Sequence, residues 1–325
     1  DFVWPGEGVG RAIRNGRLPA VALAGRFVRT TKNQLELPPR TEKFVPVTMR
    51  DAQTALYGVL QEKTLAQLQA AYDARSLPRA RSAIHSLLQA SVNPPLAGRA
   101  FDGFNAILEA AIKEGPSPKL MKTVELVRAN AAEGRKTVVW TIYTDTLRTL
   151  RSMMVDLGAV AIYGGNSSNG TSDETSRDES IRRFTMTDNC MVLVANPMAA
   201  SEGLSLHEVC HEAIYVDRTY NAAHFLQSID RIHRLGLPRD TVTRIQILQS
   251  VTPEGMGNID LSVSRRLAIK TRNLGLLLND PDIAEIAMAE DDAPLPVDDT
   301  VDIDDVEDMI REIQGKAPRS EHGVV

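Results

Sequence analysis

The stretch Gln227-Ser228-Ile229-Asp230-Arg231-Ile232-His233-Arg234-Leu235-Gly236 decides how the rest of the chain reads. Gln227, Arg231 and Arg234 recur at spacings of four and three, which on a helix puts all three side chains on one face. Two guanidiniums one turn apart are planar, permanently charged and suited to gripping phosphate oxygens. Upstream run Ala200-Ser201-Glu202-Gly203-Leu204-Ser205-Leu206 and Ala213-Ile214-Tyr215-Val216-Asp217-Arg218. A glycine turn, a strand with an acid at its end and then an arginine-bearing helix is the layout of a nucleotide-facing edge in an open α/β sheet. In isolation the arginine pair reads more readily as a wet, charged helix face. Its neighbours decide the matter.

Working outward, the same alternation continues on both sides. Pro118 opens a helix that runs to about Ala132, and Glu133-Gly134-Arg135-Lys136 turns into Thr137-Val138-Val139-Trp140-Thr141-Ile142, a β-branched apolar run of buried-strand type. A helix over 145–157, Gly158 and a strand over 159–163 follow, then a polar loop from Gly164 and a helix carrying Arg177, Ile181 and Phe184. Met191–Asn196 and 213–217 read as further strands, as does 241–249 beyond the arginines. Strands alternating with helices predict βαβ units and a parallel sheet. Before this region, residues 50–114 are helical by pattern, with Leu65, Leu68 and Tyr72 at helical spacing. Lys43-Phe44-Val45-Pro46-Val47 is extended but contains a proline, which predicts an edge strand.

Composition narrows the class. The 325 residues allow one large domain or two ordinary ones, and 43% hydrophobic residues suffice for a substantial core. Two cysteines, Cys190 and Cys210, argue against a disulfide scaffold and fit a reducing compartment. No apolar run approaches a membrane span, so no membrane partner is expected and a cytoplasmic, nucleoid or nuclear setting is. The net charge of −5 hides an asymmetry. Residues 280–312 hold fourteen Asp/Glu and one Arg, or −13, which leaves −5 + 13 = +8 on the rest. A mildly basic body is compatible with a polyanionic partner.

These motifs resemble motifs V and VI of superfamily 2 helicases, most closely those of the Swi/Snf-type DNA translocases, as in a bacterial or viral member. Motif VI there reads Q-x-x-x-R-x-x-R-x-G, matched by Gln227, Arg231, Arg234 and Gly236. Leu37-Pro38-Pro39-Arg40 followed by Gln53 and Tyr57 is similar to the stretch where such chains leave their first lobe. Asp217, Tyr220 and Asn221 resemble the family's D-x-x-W-N-P, with Tyr for Trp. In motif V, Gly203 is kept while Ser205 stands where Asn is usual, and Leu237 replaces a usual Gln.

The resemblance implies a RecA-like α/β lobe in which Arg231 and Arg234 are arginine fingers toward ATP. It also implies that Gln227, Gly203, Glu202 and Asp217 border the nucleotide. Backbone-directed contacts to double-stranded DNA would come from Lys136, Thr141, Tyr143, Thr144, Asn196, Ser201 and Ser205. The sequence has no G-x-x-x-x-G-K-[ST] and no D-E-x-H-type acid pair, the elements that cradle phosphates and hold magnesium. ATP and Mg2+ would therefore be held mainly by a first RecA-like lobe, and this chain would carry half an ATPase site.

The opening at Asp1 fits a piece of a longer protein. The expected division is 1–48 for the end of the first lobe and the interlobe connection, 49–115 for a helical insertion and 116–250 for the second RecA-like lobe. A closing helical segment over 251–289 and an acidic, disordered tail over 290–325 would follow, the tail holding a short amphipathic helix over Val306–Ile313 and being a candidate docking site for a protein partner. A non-catalytic docking or regulatory module that keeps the lobe fold is the alternative. His207-Glu208-Val209-Cys210-His211 matches the H-E-x-x-H zinc motif, but it leaves room for only about one helical turn before the strand. No metal site is expected there.

Overall fold

The structure is a computed structural model describing residues 37–74, 76–100, 105–163, 176–199, 204–278 and 303–316. Six strands form one sheet: β1 (Arg40–Thr48), β2 (Thr137–Trp140), β3 (Val160–Ile162), β4 (Val192–Ala195), β5 (Glu212–Tyr215) and β6 (Thr243–Val251). Their order across the sheet is β1-β6-β5-β2-β4-β3, and every neighbouring pair is parallel. Each residue of β2, β3, β4 and β5 is buried. That is why they read as continuous apolar runs rather than alternating ones, since helices cover both faces. This is the RecA-like parallel sheet expected from the alternation.

The elements flanking the sheet are α4 (Pro118–Ala132), α5 (Thr144–Met153), α6 (Arg177–Met186), α7 (Ala222–Ile229) and α8 (Ile259–Leu278), preceded by α1 (Asp51–Asp73), α2 (Leu77–Val92) and α3 (Asn105–Lys113). Ser117 caps α4 by accepting from Leu120 N, and Ser176 caps α6 by accepting from Glu179 N, each satisfying an otherwise orphaned helical donor. After α5 a short turn, Val155–Leu157, ends on Gly158 at φ 67°. A Cβ at Gly158 would strike the carbonyl of Asn189, so both the conformation and the close approach require glycine. β1 lies at the sheet edge with Pro46 opposite Gln249. An edge strand tolerates a residue that cannot donate to a ladder.

Between Asp51 and Lys113 the described residues are mostly helical, as their pattern predicts, and are tied to the sheet by buried polar groups. Gln53 donates to the carbonyls of Ala90 (3.0 Å) and Ser91 (3.3 Å), satisfying acceptors at the end of α2. The Tyr57 hydroxyl donates to Gly257 O (3.2 Å) and accepts from Ile259 N (2.9 Å), pinning α1 to the start of α8. Lys119 and Asp260, both buried, pair at 2.7 Å. The same carboxylate accepts from Ser250 N (2.7 Å) and Ser91 Oγ (3.4 Å). One buried acid thus joins α2, α4, β6 and α8.

The short amphipathic helix expected near the end of the acidic tail is present. Within 290–325, a disordered tail by composition, Ile303–Ile313 is a helix, α9. Val306, Met309, Ile310 and Ile313 recur at helical spacing and are buried. Glu312 accepts from Ser262 Oγ (2.6 Å), Tyr72 donates to Glu307 (3.1 Å), and Gln61 donates to the Ile313 carbonyl. The apolar face of this helix lies on α1 and α8, and Glu312 is buried with it.

Candidate functional site

α7 starts near the carboxyl end of β5 and runs back along the sheet. Asn221 caps it, accepting from His224 N, and it ends at Ile229. Eight helical residues cover about 12 Å, close to the length of a four-residue strand. The chain therefore leaves α7 on the side where β1 and β5 begin. Gln227 is still helical, but Arg231 and Arg234 lie beyond the helix in turns. The expected single helical face is corrected accordingly, and the three side chains come together by a different route.

They line one open pocket of about 320 Å³ with Leu37, Asp230, His233 and Leu235. Gln227 and Arg234 are exposed and Arg231 is half-buried. Arg231 Nη1 donates to Leu204 O at 3.2 Å, and Leu206 N donates to Arg231 O at 2.9 Å. Arg234 Nη1 donates to Ser205 Oγ at 3.2 Å. Leu204 and Leu206 are buried on either side of exposed Ser205, which anchors this loop. Burial lowers the pKa of Arg231, and the charges of Arg234 and Arg177 lower it further, while Asp230 opposes them. Three arginines thus build a positive field around one opening, the arrangement that attracts an oxyanion.

Sequence reasoning did not single out Leu37, His233 or the field of Arg177 for this pocket. The first two were legible only as neighbours, one in Leu37-Pro38-Pro39 and the other between the arginines. Ser205, expected among DNA contacts, stands with the arginines. Ser201, Glu202 and Gly203 lie outside the described residues, so their expected roles have no structural counterpart here.

The remaining expected site residues are elsewhere. Asp217, Thr141, Tyr143 and Asn196 sit at the carboxyl ends of β5, β2 and β4. Asp217 is 4% exposed, and its two oxygens accept from Thr141 Oγ1 (2.5 Å) and Ile142 N (2.7 Å). Burial raises its pKa to about 6 against those two bonds. It cannot present an oxygen to a nucleotide at the arginine pocket. Thr141 is fully buried, and Tyr143 is 6% exposed beneath His85 of α2, with ring centroids 5.3 Å apart. So buried, neither presents a surface to a DNA backbone. Asn196 donates to Ile142 O (3.0 Å) and accepts from Met198 N (2.9 Å), bracing two loops beside a pocket of about 120 Å³. Thr144 is half-buried at the start of α5.

Lys136 is at the opposite, amino end of β2. Its Nζ donates to Phe184 O (2.5 Å) and Thr187 O (2.9 Å) and lies 5.5 Å from the Phe184 ring centroid. It cannot share a surface with Asn196 or Thr144. His207 and His211 occupy a turn before β5, and His211 Nε2 contacts the backbone oxygen of His207 at 2.8 Å. Among the described residues no group of three His, Cys, Asp or Glu could hold a metal. Among those residues, too, no helix is long and apolar enough to cross a membrane.

A parallel sheet in this strand order, with an arginine pocket built between residues 204–206 and 227–235, is a RecA-like α/β lobe. Residues 118–236 match the helicase conserved C-terminal domain. The Helicase-like transcription factor CHR27 of Arabidopsis thaliana is 27% identical over 134 residues, which is 41% of this chain and 12% of that protein. The chain thus spans about an eighth of that relative's length. The Sulfolobus solfataricus SWI2/SNF2 ATPase core in complex with dsDNA is similar in fold, with TM-score 0.53 and 19% identity over 86% of this chain and 56% of that one. The C-terminal part of the Fun30 ATPase domain gives TM-score 0.52 and 16% identity, covering 84% of this chain and 97% of that one.

Proposed function

We propose that the chain is the second half of the motor of an ATP-dependent double-stranded-DNA translocase. The observation that carries this reading is the open pocket holding Arg231, Arg234 and Gln227 together, with both guanidiniums anchored on residues 204–205. Arg231 and Arg234 reach the phosphates of an ATP whose Mg2+ and main cradle belong to a first RecA-like lobe. Guanidiniums fit that task because they stabilise charge on a transferring phosphoryl group, an effect worth ~10³–10⁵ in rate. Closure of the two lobes brings the fingers to the nucleotide, and cycles of closure step the lobes along DNA.

DNA contacts are directed at the backbone, from Thr144 and the 196–205 turn. They position the lobe without reading sequence, so affinity falls steeply with salt and is indifferent to sequence. The fold likeness to a SWI2/SNF2 core whose structure includes dsDNA supports this partner.

The test is ATP hydrolysis by this chain with and without its first lobe. The chain alone should show none, and the two lobes together should show DNA-stimulated turnover. Hydrolysis by the chain alone would contradict the half-site. No hydrolysis by the joined lobes on any DNA would favour the docking-module alternative.

A further inference from the structure

Because α7 ends at Ile229, the arginines do not inherit their positions from a helix. They sit in a turn whose placement depends on tertiary anchors. One anchor is the 204–206 loop, through Leu206 N to Arg231 O (2.9 Å), Arg231 to Leu204 O and Arg234 to Ser205 Oγ. The other lies on the opposite side. His233, between the two arginines in sequence, is 5% exposed, and its Nε2 lies 2.9 Å from Pro38 O, 195 residues away. A carbonyl only accepts, so Nε2 carries the proton and donates. Pro38 belongs to the segment that enters β1, and the next carbonyl, Pro39 O, accepts from Thr243 N (3.1 Å) at the start of β6. Leu37 of the same segment forms part of the pocket wall.

We propose that His233 is a positioning residue for the arginine pair. Its imidazole ties residues 231–234 to the connector at Pro38, so the arginines and the chain entering from the first lobe move as one unit. A buried histidine serves here because its ring donates in a fixed direction, and a carbonyl buried beside it gains little from any other partner. The consequence is directional: displacement of the connector is transmitted to the arginines through one hydrogen bond. This rests on the arginine-finger reading above, and the role is indirect, since His233 itself need not touch nucleotide.

The experiment compares His233→Leu, His233→Gln and His233→Asn in the protein with its first lobe. Gln keeps a donor that can span the distance to Pro38, while Asn keeps a donor that is too short. Small misplacement of reacting groups is costly, so His233→Leu and His233→Asn should each lower kcat for DNA-stimulated ATP hydrolysis about tenfold. KM for ATP should stay within about twofold, because binding is made mainly by the first lobe. His233→Gln should keep at least about half of wild-type kcat. In this chain alone, amide exchange over residues 40–41 and 231–235 should speed up in His233→Asn and not in His233→Gln.

Wild-type kcat in His233→Asn, or equal impairment in His233→Gln and His233→Asn, would overturn the proposal. So would a rise in KM with kcat unchanged. Should His233→Leu fail to fold, the Asn and Gln pair carries the test. Arg234→Ala separates the two readings: if it keeps full turnover the finger assignment falls, while the exchange data still judge the tie to Pro38.

Discussion

The arginine pocket and the carboxyl edge of the same sheet hold polar residues in opposite ways. In the pocket, Arg234 and Gln227 are exposed and the guanidiniums rest on a carbonyl and a hydroxyl of one loop. At the carboxyl edge, Asp217, Thr141, Lys119 and Asp260 are buried, and their charges and hydrogen bonds answer one another. Both regions are rich in chemistry-bearing side chains. The first leaves its guanidiniums exposed or half-buried at an opening, whereas Asp217 lines a pocket of about 120 Å³ while itself only 4% exposed. Polar residues at the end of a buried strand are therefore not evidence of a site until something is shown to leave them uncovered. Here α2 closes part of that edge, His85 packing on Tyr143 and Ser91 bonding Asp260.

If the carboxyl edge is scaffold, its substitutions should cost stability and the pocket's should not. The largest cost is expected for Lys119→Met, which leaves the Asp260 carboxylate buried without its cation. Removing one partner of a buried pair costs about 3–5 kcal/mol, to be read from urea unfolding of this chain. Wild-type stability in that variant would mean that the pair does not hold the edge together.

The pH dependence of Asp217 comes next. Its folded pKa, about 6, lies above the ordinary 3.8 because burial disfavours the anion. Such a group favours the folded state below about pH 4, and that contribution is lost as pH rises through about 6. A difference of two units corresponds to about 3 kcal/mol across this window. Asp217→Asn should remove this part of the pH dependence, and an unchanged profile would show that the carboxylate is not buried as described.

The smallest effect belongs to the docked tail helix. Gly257 lies against the end of α9, and a Cβ there would collide with the carbonyl of Ile313. Gly257→Ala should cost about 1–3 kcal/mol through overpacking and expose α9 to proteolysis near Arg311. Equal protection of α9 in both proteins would show that the helix docks by another contact.

Much of this was legible in the sequence. The β-branched run at Thr137–Trp140, the edge position marked by Pro46 and the helical spacing over 50–114 follow from local rules of periodicity and turn chemistry. So does the grouping of Gln227 with Arg231 and Arg234, although α7 stops short of the arginines. What was not legible depends on distant contacts. Tyr143 is covered by His85, Lys136 is bound by the carbonyls of Phe184 and Thr187, and Gln61 holds the end of α9. No local pattern records a partner roughly 50 to 250 residues away, so a strand-end Thr, Tyr or Lys reads the same whether wet or buried. The apolar face of α9 was legible in the spacing of Val306, Met309, Ile310 and Ile313, but not the surface on α1 and α8 that it covers.

The most direct measurement is the turnover number of Arg234→Ala in the protein with its first lobe, taken with its melting temperature. The guanidinium is exposed and donates to the Ser205 hydroxyl, so melting should be unchanged, while DNA-stimulated ATP hydrolysis should fall by ~10³ or more. Full turnover in a folded variant would contradict the account, and so would a loss of turnover that only follows a loss of fold.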